Sequence, residues 1–271
     1  MRLLKLYISA DIEGTAGIAH WDETDAVRGG SQYDYFCGQM TREVAAACRG
    51  AQSLGNWDVY VKDAHDSARN IIPTELPRGV RLRRDWSGNP LVMVEGLDAE
   101  HFDALALTGY HSAAWDAGNP LSHTMITAAD EVLINDERAS EFMISAYTAG
   151  MLGVPVVFLS GDENLCKSAK VFIPGITTVA VSNGIGNGSV AMHPLDAAER
   201  IEDGTRRALQ GDLSKCQVKM PDRFSVRIRY KEHTRAYRMG WYPGAVRVDE
   251  KTIEFESANY DDILRFFLFV L

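Results

Sequence analysis

Cysteine is scarce: Cys37, Cys48, Cys166 and Cys216 stand far apart in 271 residues and form no Cys-x-x-Cys pair. That excludes a thiolate zinc site and a thioredoxin-type motif, and makes free thiols the expectation. Cationic residues are also in deficit, 28 Lys and Arg against 37 Asp and Glu, for a net charge of -9. Phosphate binding needs a cationic face, so nucleic acid is not an expected partner. The nearest thing to a basic cluster, 78–84, is answered by Asp85 and reads as solvated. No apolar run approaches the ~20 residues that span a bilayer. The opening run Leu3–Ile8 is broken by Lys5 and leads to Asp11 and Glu13, not to a signal-peptide cleavage site. No membrane partner is expected, and the expected location is cytoplasmic.

A phosphate cradle is missing as well. The stretch 183–189 is glycine-rich, but the third glycine of a dinucleotide fingerprint would fall at Ser189, and no Gly-Lys-Ser/Thr follows. It reads as a flexible loop. What the chain does have is an ordinary globular composition, 46% hydrophobic and 24% charged, with enough length to bury a sizeable core.

Strands and helices alternate along the sequence. Apolar runs at Leu3–Ile8, Trp57–Val61, Ala104–Thr108, Val154–Ser160 and Thr177–Val181 read as strands. Between them, 33–54 carries apolar residues at helical spacing and stops at Gly55, while Ser140 is placed to cap a helix from Glu141 to about Gly153. The turn signal Asn135-Asp136 suggests a hairpin. His101 falls in an expected helix and His193 beside a proline. The fold class is α/β, with a main domain over 1–210 and a smaller α+β domain over 211–271. The smaller domain closes on a helix capped by Asn259 that is apolar nearly all round and is expected to be buried in the core or a subunit interface.

Polar clusters close several of these strands: Asp11 and Glu13 after the first, His65 after the second, His111 after the third. Residues two apart in an extended segment point the same way, so Asp11 and Glu13 can converge on one cation. Parallel α/β sheets gather ligands beyond the carboxyl ends of their strands, which would bring these residues to one rim with Glu141. Three carboxylates would offset most of the charge of two divalent ions, an arrangement that activates water for hydrolysis. Each residue also has an ordinary alternative. A histidine at a strand end can be purely structural, and Glu141 can serve as a helix-start charge. Asp63 and Asp66 either orient His65 or face solvent.

The strings Ser9-Ala10-Asp11-Ile12-Glu13-Gly14, Asp63-Ala64-His65, Val94-Glu95-Gly96-Leu97, Gly109-Tyr110-His111, Ser122-His123-Thr124-Met125, Ile134-Asn135-Asp136 and Glu141 occur in one order. In that order the chain resembles the M55 peptidase family over nearly its whole length. The resemblance implies a Rossmann-like main domain with a parallel-rich sheet, and two zinc ions held by Asp11, Glu13, His65, His111 and Glu141, with Asp11 bridging. It implies a catalytic role for His123 and a ring-like homodecamer. Two positions depart from the family pattern, Lys62, where relatives often have Asn, and the glycine-rich 183–189. Both bear on substrate preference and leave the metal site intact.

The expected function is therefore a dinuclear zinc aminopeptidase acting on short peptides or amino-acid amides, with D-configured amino termini implied by the resemblance. An amidase or peptidase of other stereochemistry is the first alternative. The second is a peptide-binding protein of an uptake system with a vestigial metal site; loss of a ligand would favour it, and all five are present.

Overall fold

The computed structural model describes residues 2–271. Its elements in chain order are β1 (Leu4–Ala10), α1 (Ser31–Gln52), β2 (Trp57–Asp63), β3 (Arg81–Arg83), β4 (Ala104–Tyr110), β5 (Ala129–Ile134), β6 (Glu137–Arg138) and α2 (Glu141–Met151). They continue with β7 (Val156–Asp162), α3 (Glu163–Phe172), β8 (Thr177–Ile185), β9 (Gly188–Ala191), α4 (Pro194–Gln210), β10 (Phe224–Tyr230), α5 (His233–Met239), β11 (Val246–Arg247), β12 (Thr252–Ser257) and α6 (Tyr260–Val270).

β4 and β7 are buried at every residue, the pattern of strands covered on both faces. They belong to a sheet in the order β3-β2-β1-β4-β7-β8-β9, parallel except for the last pair. From β1 the chain winds outward through β2 to β3, then returns to β4 on the other side of β1. This reversal opens a crevice beyond the carboxyl ends of β1 and β4, where open α/β sheets bind ligands. α1 and α4 lie so close that a Cβ on Gly50 would stand 2.3 Å from the Glu202 carbonyl oxygen.

The second sheet is antiparallel, in the order β11-β12-β10-β5-β6. β10 alternates inward Phe224, Val226, Ile228 and Tyr230 with outward Ser225, Arg227 and Arg229, so one face is apolar and the other wet. Its partner β5 comes from far upstream, with Val226 opposite Ile134 and Ile228 opposite Val132. A unit drawn at 211–271 omits this hairpin, which the sheet takes in to cover the second edge of β10. Asn135 and Asp136 make the hairpin turn with φ of 52° and 64°. The apolar residues of both sheets form one continuous core.

Two local expectations change. The stretch 183–189 is not a flexible loop: β8 runs on to Ile185 and turns through Gly186-Asn187 into β9. Gly184 is needed there because the Gly118 carbonyl packs where a Cβ would be, 2.8 Å away. His101 lies in an irregular segment before β4, beside Asp103 at 3.2 Å, rather than in a helix. α6 buries Ile263, Leu264, Phe266, Phe267 and Val270 and leaves Phe269 exposed. No helix among the described residues is long and apolar enough to cross a membrane.

Candidate metal centre

Asp11 follows β1 directly and is buried. Its N–H donates to Thr108 O at 2.9 Å, which ties it to β4 across the crevice. The turn beyond it is drawn onto the end of β4 by two glycines. Gly14 N donates to Gly109 O at 2.8 Å, and a Cβ on Gly14 would lie 1.8 Å from the Tyr110 carbonyl oxygen. Gly109 has φ of 68°, and a Cβ there would fall 2.2 Å from Asp11 O. This close approach turns Glu13 back beside Asp11. Asn119 Nδ2 then holds the Glu13 carbonyl at 3.0 Å.

His65 enters from β2 on a loop anchored by Asp63, whose carboxylate accepts from Asn70 N at 2.6 Å, Asn70 Nδ2 at 2.8 Å and Ile71 N at 2.7 Å. Neither Asp63 nor the exposed Asp66 takes a ring proton from His65; Thr24 O does, 2.8 Å from Nε2. His111 follows β4 and donates from Nδ1 to Ser112 O at 2.9 Å. Glu141 opens α2, which Ser140 caps by accepting from Met143 N at 3.2 Å. Its Oε1 accepts from Met125 N at 2.6 Å. His123 donates from Nδ1 to Leu121 O at 2.9 Å and stacks on His111 with centroids 4.3 Å apart. The edge of Trp21 packs on its ring.

A carbonyl oxygen only accepts, so the imidazole nitrogen facing it must carry a proton. The inward nitrogens are therefore Nδ1 of His65 and Nε2 of His111 and His123. His65 Nδ1 lies 3.3 Å from Asp11 Oδ1 and 3.0 Å from Glu13 Oε2. His111 Nε2 lies 3.5 Å from Asp11 Oδ2 and 3.3 Å from Glu141 Oε2. Asp11 Oδ2, Glu13 Oε2 and His111 Nε2 are buried with no hydrogen-bond partner. Lone pairs crowded in this way need a proton or a cation between them. Two ligand atoms each about 2.0–2.1 Å from a tetrahedral zinc are about 3.3 Å apart, the spacing seen here.

Three groups of donors are each close enough to share one ion: Asp11, Glu13 and His65; Asp11, His111 and Glu141; and Glu13, His111 and His123. Asp11 belongs to the first two. The nitrogen and oxygen donor set fits zinc and its first-row neighbours. Burial, then the neighbouring Glu13, pushes the Asp11 carboxyl well up. Burial would raise Glu13 and Glu141 too, but His65 outweighs it at Glu13, and His111 then His123 at Glu141, so both are held low. The same pairings overcome burial at His65 and His111 and raise both. His123 is lowered, by burial and then by His111 beside it. The cluster opens on a cavity of about 590 Å³ walled by Trp21, Trp86, Met93 and Met125, with Arg28 and Asp25 at its side.

A family model described as peptidase M55, D-aminopeptidase, matches residues 4–269. The chain belongs to the M55 peptidase family. This M55 chain is 32% identical over 259 residues to a D-aminopeptidase of Bacillus subtilis (strain 168), covering 94% of this chain and 92% of the relative. Its fold matches the Zn-dependent D-aminopeptidase DppA from Bacillus subtilis, described as a self-compartmentalizing protease, with a TM-score of 0.89 and 28% identity. That match covers 98% of this chain and 96% of the other. The six positions singled out in the M55 sequence pattern, Asp11, Glu13, His65, His111, His123 and Glu141, lie in one cluster. The groups that aim them were not legible. Thr24, Leu121, Ser112 and Met125 act through backbone atoms, which side-chain identity does not advertise.

Proposed function

We propose that the chain is a zinc aminopeptidase that releases N-terminal D-amino acids from short peptides or amino-acid amides. Asp11, Glu13, His65, His111 and Glu141 would hold two zinc ions, with Asp11 bridging. The observation that carries this reading is the set of buried, unpartnered donors on Asp11, Glu13 and His111, within groups that share Asp11. The names of the two relatives support the metal and the substrate. Zinc, when bound, supplies Lewis-acid polarisation of a carbonyl and lowers the pKa of water.

The chain's own residues do the rest. The exposed Asp66 on the cavity wall offers an anion to the substrate ammonium, whereas Asp25 is answered by Arg28 at 3.3 Å. Burial and the adjacent His111 hold the His123 imidazole below its ordinary value, which favours the neutral ring. The Leu121 carbonyl fixes its proton on Nδ1, so Nε2 is the atom that exchanges a proton with the reacting groups. Stacking on His111 and the edge of Trp21 hold the ring in place. The grouping of His123 with Glu13 and His111 favours a second reading, His123 as a ligand, which the metal content of a His123→Ala variant separates from the first.

The activity test is to give zinc-loaded protein matched D- and L-alanyl amides and dipeptides and to follow amine release. Faster release from the D series is expected; no release, or preference for the L series, overturns the reading. A homodecamer in the cytoplasm completes the proposal. The self-compartmentalizing relative supports the assembly, together with the exposed Trp241 and Phe269. The four free cysteines support the compartment.

A further inference from the structure

Lys62 takes no part in the chemistry above, yet its side chain is fully buried near the end of β2. Its ammonium meets a carbonyl and a ring instead of a carboxylate. Nζ donates to Asp85 O at 2.7 Å and stands 3.9 Å from the centroid of the Trp86 ring. Nearby Glu95 is taken by Arg83 and by Ser87 N. Burial accordingly pushes the Lys62 ammonium down to about 8, against the pull of Glu95. Burying a lysine there is costly, and the carbonyl and ring contacts offset part of that cost.

Trp86 is held from further sides. Its Nε1 donates to Asp66 O at 2.6 Å and its backbone N–H to Asp85 Oδ1 at 2.8 Å. The indole lines the cavity beside His65, together with Val92 and Met93. Val92 on that wall adopts a left-handed φ of 45°, a strained state for a β-branched residue, and Asp66, which also lines the cavity, has φ of 42°. Strain at Val92 persists only where the surroundings enforce it, and such strain clusters at ligand-binding sites.

We propose that Lys62 is a positioning residue that fixes Trp86 as the wall receiving the side chain of the substrate's N-terminal residue, giving preference for large apolar side chains over alanine and over cationic ones. This rests on the aminopeptidase reading of the site. An indole presents a broad apolar surface for such packing. The ammonium behind the ring repels a second cation in front of it, which selects against lysyl and arginyl residues.

The test compares zinc-loaded wild type, Trp86→Ala, Lys62→Met and Lys62→Arg on D-alanyl, D-phenylalanyl and D-lysyl amides. Calorimetric binding of the matching amino-acid hydroxamates gives a readout independent of turnover. In Trp86→Ala the phenylalanyl-to-alanyl ratio of kcat/KM should fall about tenfold, through KM, and the hydroxamate Kd ratio should fall with it. Lys62→Met should move the ratios the same way and admit the lysyl substrate, at unchanged zinc content, and Lys62→Arg should restore both. Because Lys62 lies in the core, Trp86→Ala gives the same comparison from the cavity side. Equal changes for all substrates, or none, overturn the assignment. Wild type that turns over no amide yet binds the phenylalanyl hydroxamate preferentially overturns the aminopeptidase reading and leaves the wall in place.

Discussion

At His123 one ring nitrogen is committed to the Leu121 carbonyl while the other looks towards Glu141, 3.6 Å away. Replacing the ring with alanine removes the proton-exchanging atom and none of the five expected ligands. Turnover of D-alanyl amides by His123→Ala should drop by about 10² or more, with zinc content and fold retained. Kinetics alongside elemental analysis check this; activity lost only in step with metal would make His123 a ligand. At this scale the sequence was informative where side chains carry the chemistry, since Asp11, Glu13, His65, His111 and Glu141 all stand at strand or helix ends. It was silent on the carbonyls that set each imidazole's tautomer, because any residue type at Thr24 or Leu121 supplies the same oxygen.

Among the elements, α1 braces the metal-site turn through Glu43, whose Oε1 accepts from Ala16 N at 2.9 Å and Gln39 Nε2 at 3.1 Å. Burial raises the Glu43 carboxyl to about 7. An acid raised on folding binds its proton more tightly in the folded chain, so its contribution to stability falls as pH climbs from about 4.5 to about 7. Glu43→Gln, which mimics the neutral form, should lie within about 1 kcal/mol of wild type near pH 5 and exceed it at pH 8 by about 3 kcal/mol, an order-of-magnitude figure. Denaturant titrations at the two pH values check it; an equal difference at both contradicts it. At the chain end, deleting 266–271 removes the buried Phe266, Phe267 and Val270, each contributing roughly 1.5–3 kcal/mol. A large drop in Tm is expected, and an unchanged Tm would mean that the packing of α6 contributes little. The amphipathic and strand-end patterns of these elements were legible. The pairing of β10 with β5 was not, because register between segments about 90 residues apart leaves no local trace. Nor was the role of Gly184, set by a distant carbonyl.

For the whole molecule, the metal-free site is held together by protons. His65 and His111 are raised by their carboxylate neighbours, so the stability they give is complete below about pH 6.5 and is lost as pH rises through their raised values. Zinc takes the place of those protons, and its binding should therefore release protons and tighten with pH. The rise in Tm on zinc addition to chelator-treated protein should be larger at pH 8 than at pH 6; a gain that shrinks with pH would place the metal elsewhere. The most direct test of the dinuclear site is zinc content per chain after reconstitution, measured for wild type and for Asp11→Asn. About two ions per chain are expected in wild type, the count of a bridged site, with both occupancies depressed in Asp11→Asn because one carboxylate serves both. A wild type that retains no zinc, or an Asp11→Asn variant that keeps the wild-type count, would contradict a site built around Asp11.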